Sequence, residues 1–431
     1  VDSVAALRGV IRRIERGRAP RVAPEPVARA VGGEVLETAA GPIVLVRQVF
    51  PPSHRHGRYP LGPGVDPSPG LLSLLVPRAP RLLEGRRLLF LDTETTGLAG
   101  GTGTYAFLVG VGSVGPDGVS IEQYFMRDFD EEPALLAALG PRLAEATAVV
   151  TFNGTGFDLP LLETRFVLAR HPWPDVAHLD LLGPARRVWS AALGDCRLST
   201  LERGVLGVAR EGDVGGWEIP GRFFAYLRDR QPGRLRAVFA HNRDDVLSLV
   251  ALLGWFAAAM ADDPPPLDPA ELAGLGRLWE GADPGRSAAC YRAALAAGLD
   301  GSLGHWVRLR LAWWEKRQAR WEVACALWEA ATRAEGFDPR PWEELAKFHE
   351  HRLRDVEAAH DLVRSALDVA RGAPVSARVI EAFAYRLDRL QRRLARQGRS
   401  QSSGNVTISR TVAVGRTRVP GAKAGDEGCD E

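Results

Sequence analysis

The stretch Leu88-Leu89-Phe90-Leu91-Asp92-Thr93-Glu94-Thr95-Thr96-Gly97-Leu98 decides how this sequence is read. Four apolar residues in a row mark a buried strand, and the change to Asp-Thr-Glu marks its polar end. Side chains two apart on a strand point to the same side, so Asp92 and Glu94 share a face. Two carboxylates that close repel each other unless a cation lies between them. Oxygen donors select a hard divalent ion, Mg2+ or Mn2+, which keeps positions open for phosphate and water. A lone Asp-X-Glu after a strand is also an ordinary solvated turn, so the rest of the chain has to decide.

Outward from this strand the pattern is α/β. Tyr105 to Val114, Ser120 to Phe125 and Ala148 to Phe152 read as strands, and Pro133 to Ala144 and Leu159 to Leu168 as helices. Residues 86–260 are therefore expected to form a mixed sheet flanked by helices. Residues 1–85 read as an amphipathic helix over Val1 to Arg18, short strands at Glu34 to Leu36 and Ile43 to Val49, and a turn-rich segment holding His54 and His56. With no Cys or acidic partner nearby, these two histidines read as loop residues rather than metal ligands. Leu181 to Arg236 reads as a polar, Gly- and Arg-rich connection. Val238 to Met260 reads as a helix whose buried face carries Val246, Leu249, Val250 and Leu253.

The Pro-rich run at residues 261–269 reads as a stiff linker. Residues 270–396 then become helical and repetitive. The segments Arg292 to Leu295, Glu329 to Thr332 and Arg364 to Leu367 are each preceded by a large apolar residue, Tyr291, Trp328 and Val363, a spacing that resembles tetratricopeptide repeats. Residues 397–431 are rich in Ser, Gly, Thr and charge, and are expected to be disordered.

Composition narrows the class without naming a function. The chain has 431 residues, 45% hydrophobic and 25% charged, as globular proteins do, and no uncharged apolar stretch long enough to span a bilayer. Its first residues lack the apolar core of a signal peptide, which predicts a cytoplasmic protein with no membrane partner. The four cysteines, Cys196, Cys290, Cys325 and Cys429, have no metal-ligand spacing and read as reduced thiols. A net charge of +2 is too small to attract nucleic acid by itself, so any such attraction must be local. Arg186, Arg187, Arg197, Arg203, Arg222 and Arg243 fall where they can meet phosphates, about half of them being expected to pair with surface acids instead.

Two further motifs give Asp92 and Glu94 a context. Asn153-Gly154-Thr155-Gly156-Phe157-Asp158 follows a strand, and His241-Asn242-Arg243-Asp244-Asp245-Val246 lies on a helix, where residues four apart share a face. Together the three segments resemble the signatures of the DEDD superfamily of exonucleases, whose fold is ribonuclease-H-like. Thr96 to Tyr105, Leu198 to Glu202 and Gly215 to Pro220 are further similar to the bacterial YprB type, a likeness running over roughly residues 30–370 that includes a helical-repeat region.

The resemblance implies a 3′-to-5′ exonuclease acting on DNA or RNA with two Mg2+ or Mn2+ ions. It implies Asp92 bridging both ions, Glu94 and Asp245 completing one site, and Asp158 holding the other. Thr93, Thr95, Gly97, Leu98, Asn153 and Phe157 would contact the substrate. This chain combines a histidine with the three-residue spacing of the tyrosine type. That leaves open whether Asp244 or Asp245 is the ligand, and whether His241 is the general base or only positions water. The other reading is a scaffold that binds nucleic acid without cutting it and recruits a protein partner through the repeats.

Overall fold

The computed structural model describes residues 24–61, 69–75, 87–97, 103–210, 212–261 and 263–408. The helix expected over Val1 to Arg18, Leu98, most of the Gly-rich loop after it, and everything past Ile408 lie outside the described residues. The chain divides into two compact units, residues 1–299 and 300–431.

The first unit is built on a seven-stranded sheet. Its strands are β1 (Glu34–Thr38), β2 (Gly41–Phe50), β5 (Leu88–Thr95), β6 (Ala106–Gly115), β7 (Gly118–Phe125), β8 (Ala148–Thr151) and β9 (Ala177–Asp180), in the order β1-β2-β7-β6-β5-β8-β9. The intervening β3 (Arg55–His56) and β4 (Tyr59–Pro60) form a separate small hairpin. The pairs from β1 to β5 are antiparallel, and β5-β8 and β8-β9 are parallel. The mixed sheet flanked by helices is as expected from the sequence. The boundary at residue 85 is not: β1 and β2 extend the same sheet, because β2 is buried along Ile43 to Val46 and pairs with β7.

Alternation along β5 sorts the two cores. Leu89 and Leu91 join the core formed with α1 (Pro24–Val31), α3 (Glu132–Glu145), α4 (Asp158–Leu168) and α7 (Ile219–Asp229). In it Phe223 stacks on Phe107 with ring centroids 4.0 Å apart. Phe90 points the other way, into the core of α2 (Pro69–Leu75), α5 (Leu182–Leu193) and α8 (Arg236–Ala259). A strand covered on both sides must be apolar at every position until its end, which is why four apolar residues precede Asp92.

Leu181 to Arg236, expected as a connection, instead carries α5, the short α6 (Leu198–Leu201), a π-helical turn over Glu202–Leu206, and α7. The amphipathic stripes of α5 and α7 are narrow, and the Gly and Arg residues between them masked the periodicity. The Pro-rich run does follow α8, yet it does not divide the two units. The helix pair α9 (Pro269–Trp279) and α10 (Pro284–Ala296) belongs to the first unit. Gly274 brings α9 so close to α5 that a Cβ there would stand 2.3 Å from the Val188 carbonyl oxygen, and Trp189 Nε1 donates to Glu271 at 3.3 Å.

The second unit is all-helical: α11 (Gly301–Arg317), α12 (Trp321–Thr332), α13 (Pro339–Lys347), α14 (Val356–Arg371) and α15 (Ala377–Ile408). Trp328 and Val363, which precede two of the repeated segments, are fully buried at 0% exposure. The last helix runs past Gln397, where the sequence placed the start of a disordered tail. Among the described residues no helix is long and apolar enough to cross a membrane.

Candidate active site

Register is what assembles this site. Asp92 pairs across the ladder with Gly110, and Phe90 with Gly112. A Cβ at Gly110 would lie 2.2 Å from Asn242 Oδ1, and one at Gly112 would lie 2.6 Å from Val246 Cγ1. Glycine at both positions lets α8 settle directly on β6 and reach β5. Asn242, fully buried, donates from Nδ2 to Asp92 Oδ2 at 2.8 Å and to the Asp92 carbonyl at 3.2 Å. Its own Oδ1 accepts from Gln123 Nε2 at 2.9 Å, and Gln123 also donates to the Phe239 carbonyl at 2.8 Å. Both ends of the buried Asn242 amide are thereby bonded, as burial requires.

Asp158 arrives from the other side of β5. It is the first residue of α4, with Phe157 at the N-cap position, so its carboxylate does not cap the helix. The Thr93 hydroxyl donates to Asp158 Oδ1 at 2.5 Å. The turn before it is shaped by Asp180, which accepts the backbone N–H groups of Asn153 at 2.8 Å, Thr155 at 3.1 Å and Leu182 at 3.0 Å. Asn153 sits at φ +67°, a left-handed conformation that Asn adopts more readily than other side-chain-bearing residues.

One turn of α8 separates His241 from Asp245. His241 Nδ1 lies 2.8 Å from Asp213 Oδ1 and 3.3 Å from Arg210 Nη1, and in the tautomer that donates from Nδ1 to Asp213 the Nε2 is an acceptor. That Nε2 faces Asp245 Oδ2 at 3.6 Å and Glu94 Oε1 at 4.0 Å. Asp245 Oδ1 is ion-paired to Arg210, which also pairs with buried Glu202. Behind that pair the Ser248 hydroxyl donates to Glu202, and Ser248 accepts from His56 Nε2 at 2.8 Å. Asp244 turns away to Arg243, 2.7 Å distant.

The electrostatics are those of crowded, half-neutralised carboxylates. Burial, then Asp245 and Asp158, push the Asp92 carboxyl well above its ordinary range. Burial, then Asp92, Asp245 and Asp158, do the same to Glu94. Burial raises Asp158 to about 6 against the hydrogen bonds from Thr93. Such groups give up their protons when a cation is supplied. Glu94 Oε1 is buried with no hydrogen-bond partner, an exception to the usual pairing of buried polar atoms. Among the described residues no three donors are yet gathered tightly enough to enclose an ion, Asp245 being engaged by Arg210. The donor chemistry, all carboxylate oxygen, fits Mg2+ or Mn2+.

The residues singled out by sequence divide clearly. Asp92, Glu94, Asp158, His241 and Asp245 come together at the end of β5, and Asp245 rather than Asp244 faces the cluster. Asn153 is exposed beside it and Phe157 is half-buried. Thr93 and Thr95 are both buried, Thr93 donating its hydroxyl to Asp158 and Thr95 to the Gly97 carbonyl at 2.9 Å. Gly97 is partly open, and Leu98 lies outside the described residues. Asn242, Gln123, Arg210 and Asp213 were missed. The available signals were the two glycines within the apolar run of β6 and a polar Asn inside an otherwise buried helix face. His56, taken for a loop residue, is buried, and burial followed by the nearby Arg210 lowers its pKa to about 4.

Comparison with known proteins bears on the fold. Residues 89–257 match the family model of the RNase_H superfamily. The chain is also 36% identical over 217 residues to the uncharacterized protein YprB of Bacillus subtilis (strain 168), a match covering 48% of this chain and 52% of that protein. The chain thus spans about half the length of that relative. Residues 89–257 form an RNase H-like domain.

Proposed function

We propose that this RNase H-like domain hydrolyses phosphodiester bonds of DNA or RNA one nucleotide at a time from the 3′ end. One observation carries the reading. Four carboxylates from three separate sequence signatures converge at the end of β5, with Glu94 Oε1 buried and unpartnered among them. Asp92, Glu94, Asp158 and Asp245 would hold two Mg2+ or Mn2+ ions, which supply the positive charge that draws in the scissile phosphate and offsets charge on the leaving oxygen.

The chain's own groups do the rest. Asp213 fixes the His241 ring so that Nε2, the acceptor nitrogen, points to the carboxylates, where it takes the proton of the attacking water. A bond forms between that water's oxygen and phosphorus, the bond from phosphorus to the 3′-oxygen breaks, and the 3′-oxygen is protonated by solvent. Asn242 keeps Asp92 from rotating, and Thr93 does so for Asp158. The helical second unit would serve to engage a protein partner.

A second reading draws on the Arg210–Asp245 ion pair, which already spends the charge of one ligand. It makes the domain a nucleic-acid-binding scaffold that does not cut. Incubating the full chain with 3′- and 5′-end-labelled single strands, in Mg2+, Mn2+ or chelator, separates the two. Exonuclease action gives a metal-dependent ladder shortening from the 3′ end, absent for Asp92→Ala. Retention of the strand without cleavage in either metal rejects hydrolysis in favour of the scaffold.

A further inference from the structure

Two open cavities adjoin the turn that carries Asn153, one of about 760 Å3 and one of about 690 Å3. They share Asn153, Leu182, Arg186 and Arg187 as lining residues. The larger continues past Arg197, and the half-buried ring of Phe152 lines it. Arg186 and Arg187 lie side by side on the exposed face of α5, and neither makes an ion pair among the described residues. The carboxylates that line the same cavities are committed to the backbone. Asp180 accepts three N–H groups, and Asp195 accepts the N–H of Arg197 at 3.1 Å. Positive charge is therefore left facing the open space while its acidic neighbours are occupied.

From this we infer that the Asn153 turn and the groove over α5 bind a single-stranded nucleic acid, its phosphates on Arg186 and Arg187 and an unstacked base against Phe152. The inference rests on the proposed nuclease reading, since it supplies the path by which a strand leaves the carboxylate cluster. Asn153 and Thr155 belong to the turn that ends in Asp158, so the turn that lines the groove also carries one carboxylate of that cluster. Charge alone would suit any polyanion. The apolar lining by Phe152 and Leu182 selects a chain whose base faces are free, because a duplex keeps its bases stacked inside and offers only its phosphates. Fixed arginines recognise phosphate whatever the sugar, so DNA and RNA share this site.

The test is equilibrium binding of the full-length protein to fluorescent oligonucleotides in chelator, where cleavage cannot intervene, over a range of salt. Arg186→Gln/Arg187→Gln is expected to weaken single-stranded DNA and RNA about tenfold. It should also flatten the plot of log affinity against log salt by about 1.4, two phosphate contacts at ~0.7 each for single strands. The matched pair Arg170→Gln/Arg228→Gln, both exposed elsewhere on the unit, should stay within about twofold of wild type. Phe152→Leu should lose single-strand affinity while leaving the salt slope intact. Equal losses from both arginine pairs, or an unchanged salt slope in the first, would overturn the groove. An equal loss for duplex and single strands would overturn its single-strand assignment. Groove-dependent binding by a protein that never cleaves would reject hydrolysis alone, and cleavage with wild-type binding in the groove variants would reject the groove alone.

Discussion

Asn242 on α8 holds Asp92 on β5 by two hydrogen bonds from one amide group, at 2.8 Å to the carboxylate and 3.2 Å to the carbonyl. The carboxylate that would lie between two ions is thereby fixed to a helix residue 150 positions away in sequence. Groups that orient a metal ligand in this way typically govern affinity or activity by about 10–100-fold. Asn242→Ala is expected to slow metal-dependent cleavage by that factor while the far-ultraviolet circular dichroism is unchanged. A wild-type rate would remove Asn242 from the site.

Gly110 tests the close approach of α8 to the sheet. With a Cβ placed 2.2 Å from Asn242 Oδ1, Gly110→Ala should cost about 1–3 kcal/mol in urea unfolding. Its cleavage rate should fall too, because Asn242 must move. Gly115→Ala, at the far end of the same strand with nothing within 4 Å, should stay within about 0.5 kcal/mol of wild type. Equal costs at the two positions would mean that the clash is relieved without moving α8.

Asp92 stands among charges that oppose its own ionisation, so removing it should help the metal-free fold while ending catalysis. Asp92→Asn in chelator is expected to melt higher than wild type by about 2–4 °C, equivalent to ~1 kcal/mol for a unit of this size. Saturating Mn2+ should reverse the order by stabilising wild type, about 2.7 kcal/mol at a hundredfold excess over the dissociation constant, and not the variant. Melting curves with and without Mn2+ measure both effects. A lower melting temperature for Asp92→Asn in chelator would contradict the crowding of carboxylates.

His56 sets a pH dependence of defined sign. Its folded pKa of about 4 lies below the ordinary 6.5, so between these values the unfolded chain binds the proton and the folded chain does not. Stability is fully present above pH 6.5 and declines as pH falls toward 4, by about 3 kcal/mol at most. His56→Gln should lose part of that slope in denaturant titrations across this window. The same slope in both proteins would assign it elsewhere.

Much of the fold was legible because its signals are local. Every strand and helix expected between Leu88 and Leu168 is present within a few residues of its expected ends. What escaped is what depends on partners distant in sequence. Nothing around Glu34 to Val49 says that its hairpin will pair with β7, and nothing in the Pro-rich run says that the next helix returns to α5. The carboxylates were readable because each occupies a motif. Arg210 and Asp213 were not, since they lie in an irregular stretch, and their purpose is visible only once α8 sets Asp245 and His241 beside them. Thr93 and Thr95 lie within a motif as well, but the motif does not announce that their hydroxyls bond inside the protein, to Asp158 and to the Gly97 carbonyl.

The contact of α9 with α5 bears on where this protein can be cut for study. The Pro-rich run invites a truncation at residue 260, and the sequence pattern invites a start at residue 86. Such a fragment would lack two strands of the sheet and would bare the side of α5 against which Gly274 now packs. The arginines that face the groove stand on that same helix, and Arg277 of α9 lines the larger cavity with them. Recombinant fragments ending at residue 299 preserve its backing, whereas shorter ones would confound any measurement of nucleic-acid affinity with loss of the helix that carries it.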